Sequence, residues 1–492
     1  MRKVIEFVLN GEVRRLDSID PTLTVLRYLR ETERLVGTKE GCAEGDCGAC
    51  TAVVATLEGA ALRYRAVNTC IQFVGMLDGK ALITVEHLKG ENGLHPVQQA
   101  MVDHHASQCG FCTPGFVMSL FAGGREGAPP ERSAIDTLLA GNLCRCTGYT
   151  AIIRAAEQAL RSQAGNDRFA ARERQLIDRL RRIRRRDSVC IEADGRRYFA
   201  PGSVDELAGL LRRHPGATLV AGATDVGLFV TKQHRRLDTV IDLGKVKELA
   251  RISRGKAGLR LGAAVTYERA HGELAALHPS LHELIRRLGS VQVRNLGTIG
   301  GNIANGSPIG DMPPALIAAG ATLRLCRGPT TRDIALEDFF LSYGRQDRRP
   351  SEFVESVFIP RPEPHAVLKV YKISKRFDQD ISSVCGAFHL VFDRTGGQSR
   401  ISAARICFGG MAGTPLRARR CEQFLAGKRW TETTATEAAG VLRDEYRPIS
   451  DWRATAAYRI AVAGNLLRRC FLETTTDADL QLAGHREVVH AE

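Results

Sequence analysis

The distribution of cysteine constrains this chain more than any other feature of its sequence. Of the 14 cysteines, eight lie within the first 146 of 492 residues and six are scattered singly through the rest. Scattered cysteines usually behave as small buried hydrophobes, whereas clustered thiols in a reducing compartment point to metal, because disulfides are rare there. We therefore expect metal centres in the N-terminal third. The scattered cysteines are Cys190, Cys326, Cys385, Cys407, Cys421 and Cys470.

Four of the clustered cysteines have the C-x₄-C-x₂-C…C spacing of a plant-type [2Fe–2S] site. They are Cys42, Cys47, Cys50 and Cys70. Gly41, Gly45 and Gly48 lie among them, and glycine allows the positive φ and close backbone approach that a loop around an inorganic core requires. A zinc site or free buried thiols are the alternatives. Structural zinc sites usually pair two C-x₂₋₄-C units, and here the fourth cysteine stands alone.

The other four clustered cysteines form two short pairs. Cys109 and Cys112 directly precede a predicted helix, whose positive end stabilises thiolates. Cys144 and Cys146 form a Cys-x-Cys pair, which by itself is a weak signal. Together the two pairs predict a second metal centre.

Secondary-structure signals divide the chain into successive regions. A small mixed sheet with one helix is predicted first, and four short helices follow, with the cysteine pairs at their ends. A very basic stretch then predicts a linker or an exposed helix. An αβ pattern comes next, and in the last region strands precede helices. The corresponding bounds are 1–88, 89–163, 164–187, 188–365 and 366–492.

Charge and hydropathy restrict the partners and the cellular location that we expect for the chain. The formal net charge is +14, which is compatible with a solvated basic surface or an anionic partner. Binding of nucleic acid through Arg179–Asp187 is an alternative, but that run has no aromatic residue to stack on bases. The longest uncharged stretch, Ala106–Gly124, is interrupted by cysteines and a proline, unlike a membrane helix. The N-terminus lacks an apolar signal region, so we expect a cytoplasmic protein.

Two glycine-rich segments, Ala221–Gly227 and Gly297–Gly310, punctuate the αβ region. The chain contains no G-x-G-x-x-G, so the Rossmann dinucleotide fingerprint is missing. Glycine-rich turns nevertheless allow backbone N–H groups to reach a diphosphate without an intervening side chain. Taken alone, such turns are more often loops than cofactor sites.

These motifs together resemble the molybdenum hydroxylase family, which includes xanthine dehydrogenases, aldehyde oxidases and carbon monoxide dehydrogenases. The first cysteine loop is similar to a plant-type ferredoxin domain, and the strings QCGFCTPG and GNLCRCTGY resemble the helical [2Fe–2S] domain of the family. The strings LVAGATD and TIGGN resemble its FAD-binding loops. The resemblance implies an α+β multidomain protein with four domains. These are a β-grasp ferredoxin domain, a four-helix [2Fe–2S] domain, a p-cresol methylhydroxylase-type FAD domain and an α+β C-terminal flavoprotein domain.

The resemblance also implies which residues contact FAD. Asp311 matches the family aspartate at the flavin end of the cofactor. Leu288 falls where animal members carry an aromatic residue, and Ser383 where they carry a lysine. The loop residues are Leu219, Val220, Ala221, Gly222, Ala223, Thr224, Asp225, Thr298, Ile299, Gly300, Gly301 and Asn302.

The order of ferredoxin, helical-cluster and FAD domains in one chain is that of xanthine dehydrogenases. The resemblance thus implies a subunit that carries electrons from hypoxanthine or xanthine, oxidised at molybdopterin on a large partner subunit. The electrons pass through two [2Fe–2S] clusters to FAD and then to NAD. Because the chain ends where an animal enzyme would continue into its molybdenum-cofactor domain, it resembles a separate small subunit of this family. That resemblance implies an α₂β₂ heterotetramer with the large molybdopterin-binding subunit, without nucleic-acid or membrane partners. No side chain of this chain need act on the purine.

Two alternatives to this interpretation remain open. One is the equivalent subunit of a molybdenum hydroxylase that oxidises an aldehyde or another N-heterocycle. The other is an iron–sulfur redox sensor that binds nucleic acid through the basic stretch.

Overall fold

The computed structural model describes residues 1–91, 93–162, 168–185, 187–393 and 399–476. The chain forms two compact units. The first unit is Met1–Glu248 with Thr266–Glu268 and Gly289–Thr298. The second unit is Leu249–Val265, Arg269–Leu288 and Ile299–Glu492.

A five-stranded mixed sheet opens the first unit, with strand order β2-β1-β5-β3-β4 and a parallel pair between β1 and β5. Asn10 (φ +50°) and Gly11 (φ +91°) form the β1–β2 turn, as the Asn-Gly hairpin signal predicts. Pro21 and the apolar spacing of Leu23, Val25, Leu26 and Leu29 predict a helix from Pro21. The helix begins later, at Val25, and continues as a π-helical turn over Tyr28–Thr32. The elements are β1 (Ile5–Leu9), β2 (Glu12–Leu16), α1 (Val25–Arg27), β3 (Thr51–Glu58), β4 (Ala61–Asn68) and β5 (Ala81–Ile83).

Four helices follow, as the sequence predicts, and the helix that begins after Cys112 is the most deeply buried of them. All nine of its residues from Gly115 to Gly123 are buried, so this helix packs on every side and forms the centre of the hydrophobic cluster. Proline at the start of two of the helices supplies a preset φ where no N–H partner is needed. The helices are α2 (Pro96–Asp103), α3 (Thr113–Arg125), α4 (Arg132–Leu139) and α5 (Thr150–Ser162).

The basic stretch predicted as a linker or an exposed helix is a helix, α6 (Arg168–Ile183), and one side of it is buried. Phe169, Leu180 and Ile183 are no more than 8% exposed, in the same hydrophobic cluster as α3. The expectation of an exposed segment was therefore wrong for this side. Arg174, Arg181 and Arg182 are exposed, whereas the Arg168 guanidinium lies over the Phe169 ring. Packing of the apolar side accounts for the helix. The domain bounds themselves stay predictions.

A four-stranded sheet of order β6-β7-β9-β8 completes the main part of the first unit. Its strands β7, β9 and β8 are parallel, and its core residues share one hydrophobic cluster with the N-terminal sheet. The elements are β6 (Val189–Ala193), β7 (Arg196–Ala200), α7 (Val204–Arg213), β8 (Thr218–Val220), α8 (Val226–Thr231) and β9 (Thr239–Asp242).

An antiparallel sheet of order β10-β11-β16-β12-β13 belongs to the second unit. Its strands are β10 (Ile252–Arg254), β11 (Gly258–Gly262), β12 (Thr322–Arg327), β13 (Thr330–Ala335) and β16 (Phe353–Pro360), and a separate hairpin consists of β14 (Phe340–Ser342) and β15 (Arg345–Gln346). The helices in this stretch of the chain are α9 (Tyr267–Leu277), α10 (Ser280–Arg286), α11 (Val291–Leu296), α12 (Ile299–Asn305) and α13 (Met312–Ala318).

The last region has strands before helices, as predicted. A four-stranded antiparallel sheet packs against three helices around an apolar cluster that includes Phe388, Phe408 and Trp430. None of the helices among the described residues has the length and apolar content needed to cross a bilayer. The elements are β17 (Ala366–Ile373), β18 (Val384–Asp393), β19 (Arg400–Gly409), β20 (Leu416–Arg417), α14 (Arg419–Leu425), α15 (Glu432–Glu445) and α16 (Ala456–Thr475).

Candidate functional site

The four thiols of the first cysteine set lie together in the first unit. Cys42 is in hydrogen-bond contact with Cys47 and Cys70, and Cys70 is also in contact with Cys50. Cys50 and Cys70 are 1% and 3% exposed, whereas the other two are half-buried. The fold therefore gathers all four predicted ligands into one partly buried group.

Backbone amides converge on the sulfur of Cys42. The N–H groups of Glu44, Asp46 and Cys47 donate to Cys42 Sγ, at N···S distances of 3.4, 3.3 and 3.3 Å. Hydrogen bonds from the Cys47 and Cys70 thiols, assisted by backbone amides, hold the pKa of the Cys42 thiol well below its usual range. The thiolate is the form that ligates metal, and such donors also tune the potential of an iron–sulfur centre. This loop thus fits a [2Fe–2S] group.

Glycine is required at two places in this loop. Gly45 (φ +77°) and Gly48 (φ +70°) have left-handed backbone, which side chains other than glycine rarely adopt. A Cβ on Gly48 would lie 2.0 Å from the carbonyl oxygen of Gly141, in the loop that leads to Cys144. The first cysteine loop therefore lies directly against the second.

The second cysteine set is also brought together. Cys146 Sγ lies 3.5 Å from Cys109 Sγ, and the Cys112 thiol is in hydrogen-bond contact with Cys144. The hydroxyl of Thr147 donates to Cys144 Sγ at 3.2 Å. In contrast to the first set, Cys109 and Cys146 are exposed.

The thiols of the second set meet two at a time, whereas those of the first set form one connected group. Within the described ranges, no group of three or more His, Cys, Asp or Glu side chains has the geometry to hold a single metal ion. Contacting pairs are what the second set offers, Cys109 with Cys146 and Cys112 with Cys144. A two-iron cluster held by four cysteine thiolates is compatible with two such pairs.

The first predicted FAD loop, residues 219–225, lies in the first unit. It leaves β8 after Val220 and turns at Ala223, whose φ of +61° is unusual for a residue with a side chain. A Cβ on Gly222 would lie 1.8 Å from the carbonyl oxygen of Leu296. Only glycine permits this close approach to the segment that precedes Thr298.

The second predicted loop, residues 298–302, begins at the last residue of the first unit and continues in the second. Gly300 packs closely, because its Cβ would lie 2.4 Å from that of Ala263, whereas Gly301 is exposed. Asn302 Oδ1 is buried and has no hydrogen-bond partner among the residues described. A buried acceptor without a partner is costly, and a hydroxyl or amide of a bound FAD would satisfy it. The loop therefore fits a flavin nucleotide.

Asp311 is held by the second unit's own side chains. Its carboxylate accepts from Lys372 Nζ at 2.5 Å and from Ser382 Oγ at 2.5 Å, and Asp311 and Lys372 are 7% and 5% exposed. Ser383 is 3% exposed, and its carbonyl accepts from the guanidinium of Arg459. The structure thus places Asp311 next to the Ser382–Ser383 segment. Contact of either residue with the flavin remains a prediction.

Leu288 follows α10, and its neighbour Arg287 anchors that helix end. The guanidinium of Arg287 donates to the carbonyls of Phe377 and Lys372, both at 2.9 Å.

Sequence reasoning missed Arg287, Lys372 and Arg459. Only Lys372 could have been found from the sequence. The pattern of Val367–Ser374 predicts a strand, and two residues three apart in a strand, Lys369 and Lys372, point to opposite faces, one of which is buried.

Four family models match successive parts of the chain. Residues 7–74 match the 2Fe-2S iron-sulfur cluster binding domain and residues 84–157 the [2Fe-2S] binding domain. Residues 192–362 match the FAD binding domain in molybdopterin dehydrogenase, and residues 369–474 match the CO dehydrogenase flavoprotein C-terminal domain. The chain belongs to the molybdenum hydroxylase family. Two [2Fe–2S] domains and an FAD-binding domain confirm the α+β multidomain class and the cofactors expected of this chain.

Relatives within the molybdenum hydroxylase family include xanthine dehydrogenases. Xanthine dehydrogenase 1 of Arabidopsis thaliana is 31% identical over 89% of the chain, and xanthine dehydrogenase of Drosophila pseudoobscura pseudoobscura is 33% identical over 85%. The chain spans 37% and 35% of the length of these two relatives.

Solved structures of the family resemble part of the chain. Quinoline 2-oxidoreductase from Pseudomonas putida 86 has a TM-score of 0.52 at 28% identity, covering 56% of this chain and 95% of its own. The Cu,Mo-CO dehydrogenase has a TM-score of 0.51 at 27% identity, covering 55% and 94%.

Replacing Gly301 with valine is expected to yield protein that retains iron but has lost most of its FAD. Gly301 is exposed on the loop that we predict to lie against the diphosphate, and a branched side chain would obstruct that approach. Gly300→Val is the contrasting variant, because its side chain would collide with Ala263 and disturb the packing itself. Flavin absorbance and iron content of the purified proteins measure the outcome. Normal FAD occupancy in Gly301→Val would remove this residue from the binding loop.

Proposed function

We propose that this chain is the iron–sulfur and FAD subunit of a xanthine dehydrogenase. In this proposal it receives electrons from purine oxidation at a molybdopterin-bearing partner subunit and delivers them to NAD. The observation that supports this proposal is the share of the chain that aligns with each kind of relative. Relatives named xanthine dehydrogenase align with 85–90% of the chain, whereas the quinoline and carbon monoxide enzymes align with 55–56% of it.

The difference in exposure between the two cysteine sets supports a direction of electron flow. Cys109 and Cys146 are exposed, and Phe111 and Tyr149 beside them are 45% and 38% exposed. Exposed aromatic side chains are common at protein interfaces. Cys50 and Cys70, in contrast, are buried. We therefore assign the entry of electrons from the partner to the second set and their onward passage to the first.

The chain's own residues hold the carriers in this mechanism. When bound, the clusters carry single electrons and FAD exchanges hydride with NAD. The eight cysteine thiolates are the proposed ligands, amides of the 42–47 loop neutralise sulfur charge, and Asn302 offers a buried acceptor to FAD. No acid, base or nucleophile of this chain is assigned to the purine.

A second candidate is the equivalent subunit of an enzyme that oxidises another N-heterocycle or an aldehyde. The structural likeness to quinoline 2-oxidoreductase favours it. In both candidates the substrate is bound by the partner, and an α₂β₂ assembly is proposed.

The test divides the reaction between the two subunits. The purified chain with its cofactors is expected to reduce an artificial dye with NADH but to oxidise no xanthine. Adding the molybdenum subunit is expected to give xanthine-dependent NAD⁺ reduction. Removing FAD from the complex should stop NAD⁺ reduction while xanthine still reduces the dye. Aldehydes and quinoline, assayed with the same complex, separate the two candidates. Xanthine oxidation by the chain alone would contradict the proposal.

A further inference from the structure

Four polar side chains from three regions of the first unit meet in a fully buried group. Thr51 follows the first cysteine loop, Ser119 lies in α3, Asn142 precedes Cys144, and Gln292 lies in α11. Their exposures are 1%, 0%, 2% and 0%. We refer to these four residues as the buried polar group. Such a group is costly to bury unless its hydrogen bonds are satisfied.

The hydrogen bonds of the buried polar group show which of its atoms donate and which accept. The Thr51 hydroxyl donates to the Gly48 carbonyl at 2.7 Å, and the Ser119 hydroxyl donates to Asn142 Oδ1 at 2.7 Å. Both hydroxyl hydrogens are thus used, and the oxygens that remain can only accept.

Gln292 Nε2 lies 3.2 Å from Thr51 Oγ1, 3.2 Å from Ser119 Oγ and 3.1 Å from Asn142 Oδ1. Two amide hydrogens therefore face three acceptors. A carboxylate at this position would face the same acceptors with no hydrogen to give. The three acceptors therefore select a hydrogen-bond donor at this position, and Gln292 Oε1, which is buried, has no hydrogen-bond partner among the described residues.

The group fixes the contact between the two cysteine loops. Asn142 Nδ2 donates to the Gly48 carbonyl at 3.3 Å and to Thr51 Oγ1 at 3.4 Å. The next residue, Leu143, donates its backbone N–H to the carbonyl of Cys47 at 3.0 Å. Because Leu143 adjoins Cys144, this hydrogen bond is a direct bridge between a residue of the first cysteine set and a neighbour of the second.

We propose that Gln292 is a positioning residue that sets the separation and coupling of the two cluster sites. It donates to residues beside the Leu143–Cys47 bridge, although it lies within the stretch that matches the FAD-binding family model. The effect on coupling rests on the proposed function, whereas the effect on the bridge does not.

The experiment uses the full chain with its clusters and two changes at one residue. Gln292→Met keeps the length of the side chain but removes both donors, and Gln292→Glu replaces them with a carboxylate. Asn295→Leu is the matched control, because Asn295 lies in the same helix and its Nδ2 donates to the Ala66 carbonyl at 2.9 Å instead of to the buried polar group. Ser119→Ala is a second, smaller change, which removes one acceptor of Gln292 and the hydroxyl that donates to Asn142 Oδ1.

Hydrogen–deuterium exchange at the Leu143 amide is the first measurement. We expect it to become about tenfold faster in Gln292→Met, faster still in Gln292→Glu, slightly faster in Ser119→Ala and unchanged in Asn295→Leu. The second measurement is the spin–spin interaction between the two reduced clusters by electron paramagnetic resonance. We expect this interaction to weaken most in Gln292→Glu, less in Gln292→Met and least in Ser119→Ala, and to stay unchanged in Asn295→Leu. The iron content should be the same in all variants.

Unchanged Leu143 exchange in the Gln292 variants would overturn the proposal, as would an equal effect in Asn295→Leu. Altered exchange with an unchanged spin–spin interaction would overturn its role in coupling. A wild-type chain without clusters would contradict the proposed function, and the exchange measurement would still decide whether Gln292 holds the bridge.

Discussion

Replacing Cys47 with serine is expected to abolish one of the two reduced-state paramagnetic signals and to spare the other. The Cys47 thiol contacts Cys42 within the first set, and a serine hydroxyl is a poor substitute for a thiolate on iron. The link from this residue to the second loop is its backbone carbonyl, which accepts from the Leu143 N–H, and serine retains that carbonyl. The second site should therefore keep its position.

Iron content should fall by about half, since each [2Fe–2S] cluster holds two irons. Cys190→Ser is the control, because Cys190 is a half-buried thiol in β6 that belongs to neither set, and it should leave both signals intact. Loss of both signals from a folded Cys47→Ser protein would contradict two separate sites.

Replacing Lys372 with methionine is expected to lower the free energy of unfolding by about 3–5 kcal/mol, because it leaves a buried carboxylate without its cation. The side chains of Lys372 and Asp311 are 3% and 8% exposed, and their charged atoms are 2.5 Å apart. Urea unfolding of the full chain measures the change. The double change Lys372→Met with Asp311→Leu should recover most of the loss, since it removes both charges.

A lysine with an exposed partner provides the comparison. Lys428 lies 3.9 Å from Glu437, and their side chains are 41% and 56% exposed. Lys428→Met should therefore cost less than about 1 kcal/mol. Equal costs for the two lysines would show that burial of the Lys372 pair carries no special penalty.

The cysteine sets could be predicted because their information is local. A ligand spacing of a few residues, with glycines between, defines a loop that wraps a compact group, and the structure gathers both sets. Asn-Gly after β1 and proline at the start of α3 are signals of the same kind, read within one turn of chain. Resemblance to a family then supplied the FAD loops, which spacing alone would have left as ordinary turns.

Contacts between distant segments could not be predicted in this way. Gln292 bonds Thr51 across 241 positions, and nothing in the sequence around either residue marks the other. Asp311 was chosen by resemblance, but its partner Lys372 lies 61 positions away. The error about α6 has a different cause, because its many arginines hid a helical row of apolar residues. That row, Phe169, Leu176, Leu180 and Ile183, has the spacing of one helix face.

The path of the chain through the first unit has a consequence for gene fission and truncation. One apolar cluster joins Ile5 and Phe7 to Val189, Tyr198 and Val220, and residues 289–298 return to the same unit. A fragment ending near residue 187 would therefore lose part of its own interior and expose apolar surface to water. We therefore expect the iron–sulfur portion of this chain to fold poorly on its own. Any split that preserves it must follow the compact unit rather than the linear order of domains.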